Sequence, residues 1–316
     1  MRVLANDGID KVGKELLENA GFEVITEKVP QDQLKDQIKN YDVLIVRSAT
    51  KVTAEIISSS NLKLIGRAGV GLDNIDLKQA GLSGIPVVNT PNASSRSVAE
   101  LVFAHLFSLA RFLHESNRFM PENGQTEFKN LKNKASDGFE LQGKKMGIIG
   151  FGRIGQEVAK MAIGLGMEVL VYDYKMRSFD LTIELNPLYK KHNFQITLQG
   201  QDLATTLSQS DIVTVHTPGS EEVIGENELS QMKNQSILIN CARGGVVNED
   251  ALANAVNSGK IAFAGVDVFV NEPPTNDTIL KLKNTSLSAH IGASTKEAQL
   301  RVGIELAERV IQHLKK

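Results

Sequence analysis

The sequence predicts an α/β protein made of two doubly wound parallel-sheet domains. Short apolar runs alternate with amphipathic stretches of helical length along most of the 316 residues, and this rhythm is typical of parallel strands connected by covering helices. A chain of this length holds about two domains. A turn-rich segment, NTPNASSRS at 89–97, separates an early group of strands from a later one and marks a natural boundary.

The elements of the first domain follow from its apolar runs. Strands are expected at 3–5, 22–25, 43–46, 62–65 and 87–89. Helices are expected at 9–20, where apolar residues recur at helical spacing, and at 32–40. Gly21 stands where a glycine commonly ends a helix. Strand, helix and strand in this order predict a parallel sheet with helices on its faces.

The boundary is expected to lead into a buried helix. Ser97 and Glu100 have the spacing of a capping box, and residues 101–113 are apolar on nearly every side. Such a helix would link two domains or lie in a subunit interface, and the alternative is an ordinary core helix. A last amphipathic helix is expected at 296–316, where Gly303 weakens the helical pattern. We therefore divide the chain into residues 1–96 with 291–316 and residues 97–290.

A glycine-rich turn is the first chemical feature of the second domain. Gly150, Gly152 and Gly155 form a GxGxxG pattern between an apolar run at 146–149 and a helix expected at 156–165. In dinucleotide-binding proteins the first glycine permits a tight turn, the second lets backbone approach a pyrophosphate, and the third allows close helix packing. The helix N-terminus offers N–H groups and a positive dipole end to the phosphates. Further strands are expected at 169–172, 212–215, 237–239 and 263–266.

An acidic residue indicates which dinucleotide binds. Asp173 stands 23 residues after Gly150, at the end of the next strand. A carboxylate there accepts hydrogen bonds from both ribose hydroxyls and repels a 2′-phosphate, so NAD is favoured over NADP. The alternatives are a turn-glycine cluster beside a surface aspartate, or a flavin site. The position of the motif in the middle of the chain, after a complete domain, favours NAD over flavin.

Composition excludes several other classes of protein. The chain has 35 basic and 37 acidic side chains and a formal charge of -2, so we expect neither a nucleic-acid nor a membrane partner. One cysteine cannot form an intramolecular disulfide framework. No apolar run long enough for a membrane span, no secretory signal and no metal-ligand spacing is visible. We therefore expect a cytoplasmic protein without a metal site.

Three polar segments follow apolar strands in the second half of the chain, where doubly wound sheets place their ligands. They contain Arg243, Glu272 and His290. A guanidinium can hold the carboxylate of a 2-hydroxy acid through two parallel hydrogen bonds. An imidazole can take the hydroxyl proton near neutral pH, and a carboxylate behind the ring fixes its orientation and favours its protonated form. The alternative for each residue is a structural ion pair or a loop position.

Several motifs together resemble the D-isomer-specific 2-hydroxyacid dehydrogenases over nearly the whole chain, and within that family the members that oxidise D-3-phosphoglycerate. The motifs are VRSATKVT at 46–53, GRAGVGLDNID at 66–76, VVNTPNASSRSVAEL at 87–101, GFGRIGQEVA at 150–159, NCARGGVVNE at 240–249, AGVDVFVNEPP at 264–274 and AHIGAST at 289–295. The resemblance implies a Rossmann-type NAD-binding domain and a smaller, flavodoxin-like substrate-binding domain.

The resemblance also implies roles for single residues. Arg243 would bind the substrate carboxylate and polarise its carbonyl, and Glu272 would assist His290, the acid/base. Arg47 and Arg67 would bind the substrate phosphate, although each could instead be a surface or ion-paired arginine. Cofactor contacts would fall on Val70, Gly150, Gly152, Arg153, Ile154, Gly155, Asp173, His216, Thr217, Pro218, Cys241, Ala242, Asp267 and Gly292.

The expected activity is the NAD-dependent oxidation of D-3-phosphoglycerate to 3-phosphohydroxypyruvate, the first step of L-serine biosynthesis. The alternatives are glyoxylate or hydroxypyruvate reduction by the same chemistry, and a non-catalytic NAD-sensing protein. The apolar helix at 101–113 suggests a homodimer. His105 and His114 are expected to be structural. The connection at 177–201 is long for this family, and its alternating polarity at 194–198 predicts an extra strand or hairpin.

Overall fold

The computed structural model describes residues 1–175, 177–184 and 193–315. The chain divides into two compact units, Met1–Ser97 with Ala293–Lys316 and Val98–Gly292. The observed boundaries differ slightly from the expected ones. Ser97 was expected in the second unit and belongs to the first, whereas residues 291–292 were expected in the first unit and belong to the second. Both units are doubly wound parallel sheets, so the predicted fold class is confirmed.

The sheet of the first unit contains five parallel strands in the flavodoxin-like order β2-β1-β3-β4-β5. The strands are β1 (Arg2–Ala5), β2 (Glu23–Ile25), β3 (Val43–Val46), β4 (Leu64–Arg67) and β5 (Val87–Asn89), and the helices between them are α1 (Lys11–Asn19), α2 (Leu34–Gln37), α3 (Ala54–Ser58) and α4 (Leu77–Leu82). Val43 and Ile45 of β3 belong to one buried apolar cluster, whereas Leu44 and Val46 belong to the other. Because successive side chains point to opposite faces, a continuous apolar run is what a sheet covered on both sides requires.

Six parallel strands form the sheet of the second unit, in the order β13-β12-β11-β10-β6-β7. They are β6 (Lys145–Ile149), β7 (Glu168–Tyr172), β10 (Ile212–Val215), β11 (Ser236–Asn240), β12 (Ile261–Val266) and β13 (Thr285–Leu287). A single parallel bridge joins Val171 to Gly200 on the outer side of β7. Counted as a rudimentary third strand, this bridge gives the 3-2-1-4-5-6 order of dinucleotide-binding sheets, followed by β13.

The predicted extra hairpin is present beside this sheet. Strands β8 (Ser178–Glu184) and β9 (Asn193–Gln199) pair antiparallel. Phe179 and Leu181 of β8 are buried in the same apolar cluster as Phe151, and the Phe151 and Phe179 ring centroids are 4.8 Å apart. The hairpin therefore packs against the loop that follows β6. Residue 176 and residues 185–192 of the long connection lie outside the described residues.

The helix expected at 101–113 has different limits. Helix α5 (Ser95–Ala110) includes the predicted capping box in its interior, and Phe112, in the left-handed conformation with φ of 54°, separates it from α6 (Leu113–Lys134). The helix is not buried on every side, because Ala104 and Phe107, three residues apart, share an exposed face. The remaining helices of this unit are α7 (Arg153–Gly164), α8 (Leu203–Gln209), α9 (Glu226–Gln231), α10 (Glu249–Asn257) and α11 (Asp277–Leu280).

Helix α12 (Lys296–Leu314) begins with Thr295, whose side chain accepts a hydrogen bond from the N–H of Ala298. It continues through Gly303 because that residue lies against Gly13 of α1. A Cβ atom on Gly303 would lie 2.7 Å from Cβ of Asp10, and one on Gly13 would lie 2.6 Å from the carbonyl oxygen of Gly303, so glycine at both positions permits this close approach of the two helices. The glycine that weakens the sequence pattern is therefore a packing requirement.

Candidate active site

The glycine-rich turn joins the carboxyl ends of three neighbouring strands. Gly150 ends β6 with φ of 92° and donates its N–H to the carbonyl of Tyr172 at 2.8 Å. A Cβ atom there would lie 2.7 Å from the carbonyl oxygen of His216, which follows β10. At Gly152, the residue that precedes α7, a Cβ atom would meet no atom within 4 Å. The helix N-terminus is therefore open to an anionic ligand, as a dinucleotide pyrophosphate requires.

Asp173 is fixed beside this turn. Its carboxylate accepts hydrogen bonds from the N–H of Phe151 at 3.0 Å and from the N–H of Lys175 at 3.2 Å. Each carboxylate oxygen can accept a further bond, so the group can receive ribose hydroxyls while it remains oriented by the backbone. Arg153 and Ile154, two of the expected cofactor contacts, lie in the first turn of α7. The residues present therefore fit a bound NAD.

The segment after β10 holds a buried, neutral histidine. The Nε2 atom of His216 lies 3.0 Å from the hydroxyl of Thr214, and burial lowers the pKa of His216 to about 3. Its Nδ1 atom has no hydrogen-bond partner within the described part of the chain. The ring of His216 is therefore part of the packing under the turn, while Thr217 is half-buried and Pro218 is exposed.

The expected acid/base, His290, and the carboxylate expected to assist it, Glu272, are in direct contact. The Nδ1 atom of His290 lies 2.7 Å from Oε2 of Glu272, and each side chain is 38% exposed. The other Glu272 oxygen accepts a hydrogen bond from the N–H of Phe269 at 3.3 Å. The pairing of Nδ1 with the carboxylate orients the ring and leaves Nε2 to exchange a proton with a ligand.

Asp267 braces the loop that carries His290. This carboxylate is 1% exposed and accepts hydrogen bonds from the hydroxyl of Ser288 at 2.5 Å and from the N–H groups of Ile291 at 2.8 Å and Gly292 at 3.0 Å. Its backbone carbonyl also accepts the N–H of His290 at 2.8 Å. No sequence pattern indicated Ser288 as a partner of this group. The Asp267 carboxylate therefore orders the loop that follows β13.

Arg243 stands at the end of the neighbouring strand β11. Its Nη1 atom donates to the carbonyl of Ala242 at 2.7 Å, and the Nδ2 atom of Asn240 donates to the Arg243 carbonyl at 3.1 Å. A Cβ atom on Gly244 would lie 2.6 Å from the backbone nitrogen of Val270. The loop of Arg243 therefore packs backbone to backbone on the loop that leads to Glu272.

Cys241 and Ala242, also expected near the cofactor, are buried in the same loop. Burial raises the pKa of the Cys241 thiol well above its usual range, with a smaller contribution from the negative charge of Asp267. The thiol therefore stays protonated at neutral pH and is a poor nucleophile.

The remaining candidates lie in the first unit, at the carboxyl ends of the adjacent strands β3 and β4, where Arg47 follows β3 and Arg67 is the last residue of β4. Val46 and Arg67 are direct neighbours in the sheet, so Arg47 and Arg67 lie at the same sheet edge. The Asp7 carboxylate accepts the N–H of Arg47 at 2.8 Å and the hydroxyl of Thr50 at 2.7 Å. Sequence reasoning missed Asp7, whose sole signal was an Asn-Asp-Gly turn after β1.

Val70 follows β4 in the same unit, where its carbonyl accepts a hydrogen bond from the side-chain amide of Asn89 at 2.6 Å. The Nη1 atom of Arg67 donates to the carbonyl of Ala68 at 3.3 Å. The segment between Arg67 and Val70 is therefore held by local hydrogen bonds at the end of β4.

Comparison with known proteins gives a consistent result. Residues 103–292 match the family model described as D-isomer specific 2-hydroxyacid dehydrogenase, NAD binding domain. Over 99% of its length the chain is 44% identical to a hydroxypyruvate reductase of Thermotoga maritima, of which the alignment covers 98%. This chain belongs to the D-isomer-specific 2-hydroxyacid dehydrogenase family.

Two further relatives of this 2-hydroxyacid dehydrogenase support the assignment. This chain is 40% identical over 100% of its length to a D-3-phosphoglycerate dehydrogenase of Archaeoglobus fulgidus, and the alignment spans 58% of the length of that relative. The TT0316 protein from Thermus thermophilus has a similar structure, with a TM-score of 0.83, 28% identity, and coverage of 100% of this chain and 97% of that one.

The matched family model is that of an NAD-binding domain, and it contains the glycine-rich turn, Asp173, Arg243, Glu272 and His290. NAD is therefore the cofactor of this dehydrogenase. Among the described residues, no helix is both long and apolar enough to cross a membrane. In the same parts of the chain, no group of three or more His, Cys, Asp or Glu side chains is arranged to hold a metal ion.

Proposed function

We propose that this 2-hydroxyacid dehydrogenase oxidises D-3-phosphoglycerate to 3-phosphohydroxypyruvate. The observation that carries the choice of substrate is the pair of arginines, Arg47 and Arg67, which stand at the carboxyl ends of adjacent parallel strands. Two guanidinium groups bind a phosphate dianion through charge-assisted hydrogen bonds. A substrate without a phosphate gives these residues no comparable ligand.

His290 is the proposed acid/base. Its Nε2 atom takes the proton of the substrate hydroxyl, while Glu272, 2.7 Å from Nδ1, holds the ring and stabilises the imidazolium that forms. Arg243 binds the substrate carboxylate through its planar guanidinium. When bound, NAD supplies the acceptor for the hydride that leaves the substrate carbon. In the reverse direction His290 returns its proton to the substrate oxygen.

Hydrogen bonds from two side chains, Asp7 and Asn74, hold the loop at residues 47–50 and support the role of Arg47. Besides the N–H of Arg47 and the hydroxyl of Thr50, the Asp7 carboxylate accepts the N–H of Thr50 at 3.0 Å. Asn74 donates through Nδ2 to the carbonyl oxygens of Arg47 and Thr50, at 2.7 Å in both cases. A loop held at both ends in this way loses little conformational entropy when it binds a ligand.

Hydroxypyruvate reduction is the second candidate function. It is favoured by the 44% identity to the Thermotoga maritima protein of that name, which extends over nearly the whole of both chains. The chemistry at His290, Glu272 and Arg243 would be the same for both substrates. The two candidates therefore differ in the use of Arg47 and Arg67 alone.

A substrate comparison decides between the candidates. The consumption of NADH is followed with 3-phosphohydroxypyruvate, hydroxypyruvate and glyoxylate, and kcat/KM is compared. We expect a preference of about a hundredfold for the phosphorylated acid, which corresponds to about 2.7 kcal/mol of binding to the phosphate. Comparable values for all three would favour a hydroxypyruvate or glyoxylate reductase. No turnover with any of them would contradict both candidates and favour a non-catalytic NAD-binding protein.

We further propose that the enzyme is a homodimer formed through α5 and α6. Large apolar side chains are exposed on these two helices, at Phe107, Leu113, Phe119, Met120 and Phe128, the last of them 58% exposed. An exposed apolar surface of this kind is typical of a protein interface. Light scattering during size-exclusion chromatography should give twice the mass of the chain, and Phe128→Glu should shift the equilibrium toward monomer. A monomeric wild type would contradict the proposal.

A further inference from the structure

The buried imidazole of His105 connects α5 to the strand that leads to the proposed acid/base. His105 is 4% exposed, and both of its ring nitrogens have hydroxyl partners. Nδ1 lies 2.8 Å from Oγ of Ser286 on β13, and Nε2 lies 3.0 Å from Oγ of Ser288, the residue after that strand. An apolar side chain of similar size would fill the same buried space beside α5. The two hydrogen bonds of the His105 ring therefore call for an explanation other than packing.

The direction of each hydrogen bond follows from the groups involved. The Asp267 carboxylate can only accept, so the hydroxyl of Ser288 donates to Oδ1. The oxygen of Ser288 then accepts a bond from Nε2–H of His105. Burial lowers the pKa of His105, although the negative charge of Asp267 opposes this. The ring is therefore neutral at pH 7, and its Nδ1 atom accepts the hydroxyl hydrogen of Ser286.

This gives one ordered chain of donors, from Ser286 through His105 and Ser288 to Asp267. Each hydrogen bond polarises the next one, and the last acceptor is the buried carboxylate of Asp267. In a buried site of low dielectric constant, the loss of one donor to this carboxylate costs more free energy than it would in water. The same carboxylate holds the N–H groups of Ile291 and Gly292. The loop on which the proposed acid/base stands is thus connected to α5 through side chains alone.

The backbone of His290 shows why this loop needs a brace. Its φ is 52°, in the left-handed region that residues other than glycine rarely adopt. Such a conformation persists only where the surrounding structure imposes it. The imposing contacts are those of Asp267 with the N–H groups of His290, Ile291 and Gly292, and the orientation of the Asp267 carboxylate in turn depends on the hydroxyl of Ser288.

We propose that His105 is a positioning residue for the acid/base His290, acting through Ser288 and Asp267. The proposal rests on the proposed function, because it takes His290 as the group that exchanges the proton. Loss of the donor at Nε2 lets Ser288 and Asp267 reorient, and the loop of His290 then samples other conformations. The expected consequence is a lower kcat with a smaller change in the affinity for NADH. The glycine-rich turn and Asp173 have no part in this chain of hydrogen bonds, whereas Asp267 and Gly292, also expected to contact the cofactor, belong to it.

The test compares four full-length proteins: the wild type, His105→Leu, His105→Gln and His114→Leu. Glutamine keeps an N–H donor at a distance from the backbone similar to that of Nε2, whereas leucine keeps only the apolar volume. His114 is the matched control, because it is also buried and, among the described hydrogen bonds, its ring makes a single one, from Nδ1–H to the carbonyl of Ser108, and none to Ser288.

We expect His105→Leu to lower kcat about tenfold or more, with the Kd for NADH changed by a smaller factor than kcat. His105→Gln should recover most of the lost kcat, and His114→Leu should keep the kcat of the wild type. The proposal is overturned if His105→Leu and His114→Leu have equal kcat values, or if His105→Gln is no better than His105→Leu.

A second measurement does not depend on turnover. Hydrogen–deuterium exchange of the amides of Ile291 and Gly292, which bond to Asp267, should be faster in His105→Leu than in the wild type and in His114→Leu. Unchanged exchange would contradict the proposal even in an inactive enzyme. If His105→Leu does not fold, Ser288→Ala interrupts the same chain outside α5 and should show both effects, whereas Ser288→Thr should not. Failure of the proposed function is distinct, because it appears as an inactive wild type or as turnover that survives in His290→Asn.

Discussion

The buried imidazole of His216 predicts a measurable dependence of stability on pH. In the folded protein its pKa is about 3, whereas an unfolded histidine has a pKa of about 6.5. Below pH 6.5 the unfolded chain therefore binds a proton that the folded chain excludes. The sign follows directly: the contribution of neutral His216 is complete above pH 6.5 and is lost as the pH falls toward 3.

The size of the effect follows from the same two values. At pH 5 the unfolded state gains about 2 kcal/mol from protonation of this one residue, and at pH 7 it gains only about 0.2 kcal/mol. His216→Gln removes the titrating group while it keeps a polar group at a distance from the backbone similar to that of Nε2, the atom that bonds the hydroxyl of Thr214. The wild type should therefore lose about 2 kcal/mol more than the variant between pH 7 and pH 5.

Urea unfolding followed by circular dichroism at the two pH values measures this difference. Burial also lowers the pKa of His105 and of His114, so both residues add a dependence of the same sign. Both are present in wild type and variant, and their contributions cancel in the comparison. An equal loss of stability in the two proteins would refute the assignment of His216 as a buried, neutral ring.

The remaining predictions concern the reaction. His290→Asn should lower kcat by about a thousandfold and leave the Kd for NADH within about threefold, as measured by turnover and by NADH fluorescence. Arg67→Ala should raise KM for 3-phosphohydroxypyruvate about tenfold or more and leave KM for hydroxypyruvate unchanged; a uniform rise would contradict its role at the phosphate. Asp173→Asn removes the charge that repels a 2′-phosphate, so the ratio of kcat/KM for NAD to that for NADP should fall at least about tenfold. An unchanged ratio would show that another residue selects the cofactor.

The strands could be predicted closely because their side chains are buried on both faces. Residues 43–46 and 212–215 are expected as strands, and β3 and β10 have those limits, with every residue buried. A strand covered on both sides must be apolar at successive positions. The helices α5 and α6 were harder to predict. Helix α6 is largely exposed, contains Pro121 in its interior, and follows a left-handed Phe112, so local pattern gives little indication of where it begins.

Some contacts around the candidate site could likewise be predicted from the sequence, and others could not. Glu272 and His290 could be placed by motif, and the structure shows them 2.7 Å apart. The partners of His105 could not be foreseen, because they lie 181 and 183 residues further along the chain. A single histidine in an apolar helix has no local signal that distinguishes a packing role from a hydrogen-bonding one. Such contacts follow from the pairing of distant strands and helices, which periodicity does not encode.

The distribution of the candidate residues along the chain bears on how substrate choice can vary in this family. Arg243, Glu272 and His290 all belong to the unit Val98–Gly292, whereas Arg47 and Arg67 belong to the other unit. The loop of His290 is ordered by Asp267, whereas the loop of Arg47 is ordered by Asp7. Loss or gain of one of the arginines that we propose to bind the phosphate can therefore leave the acid/base geometry intact. Relatives named hydroxypyruvate reductase and D-3-phosphoglycerate dehydrogenase are both about as similar to this chain, at 44% and 40% identity, and overall identity thus cannot select between the two substrates. The selection rests on the energy of the phosphate contacts, which the comparison of kcat/KM measures directly.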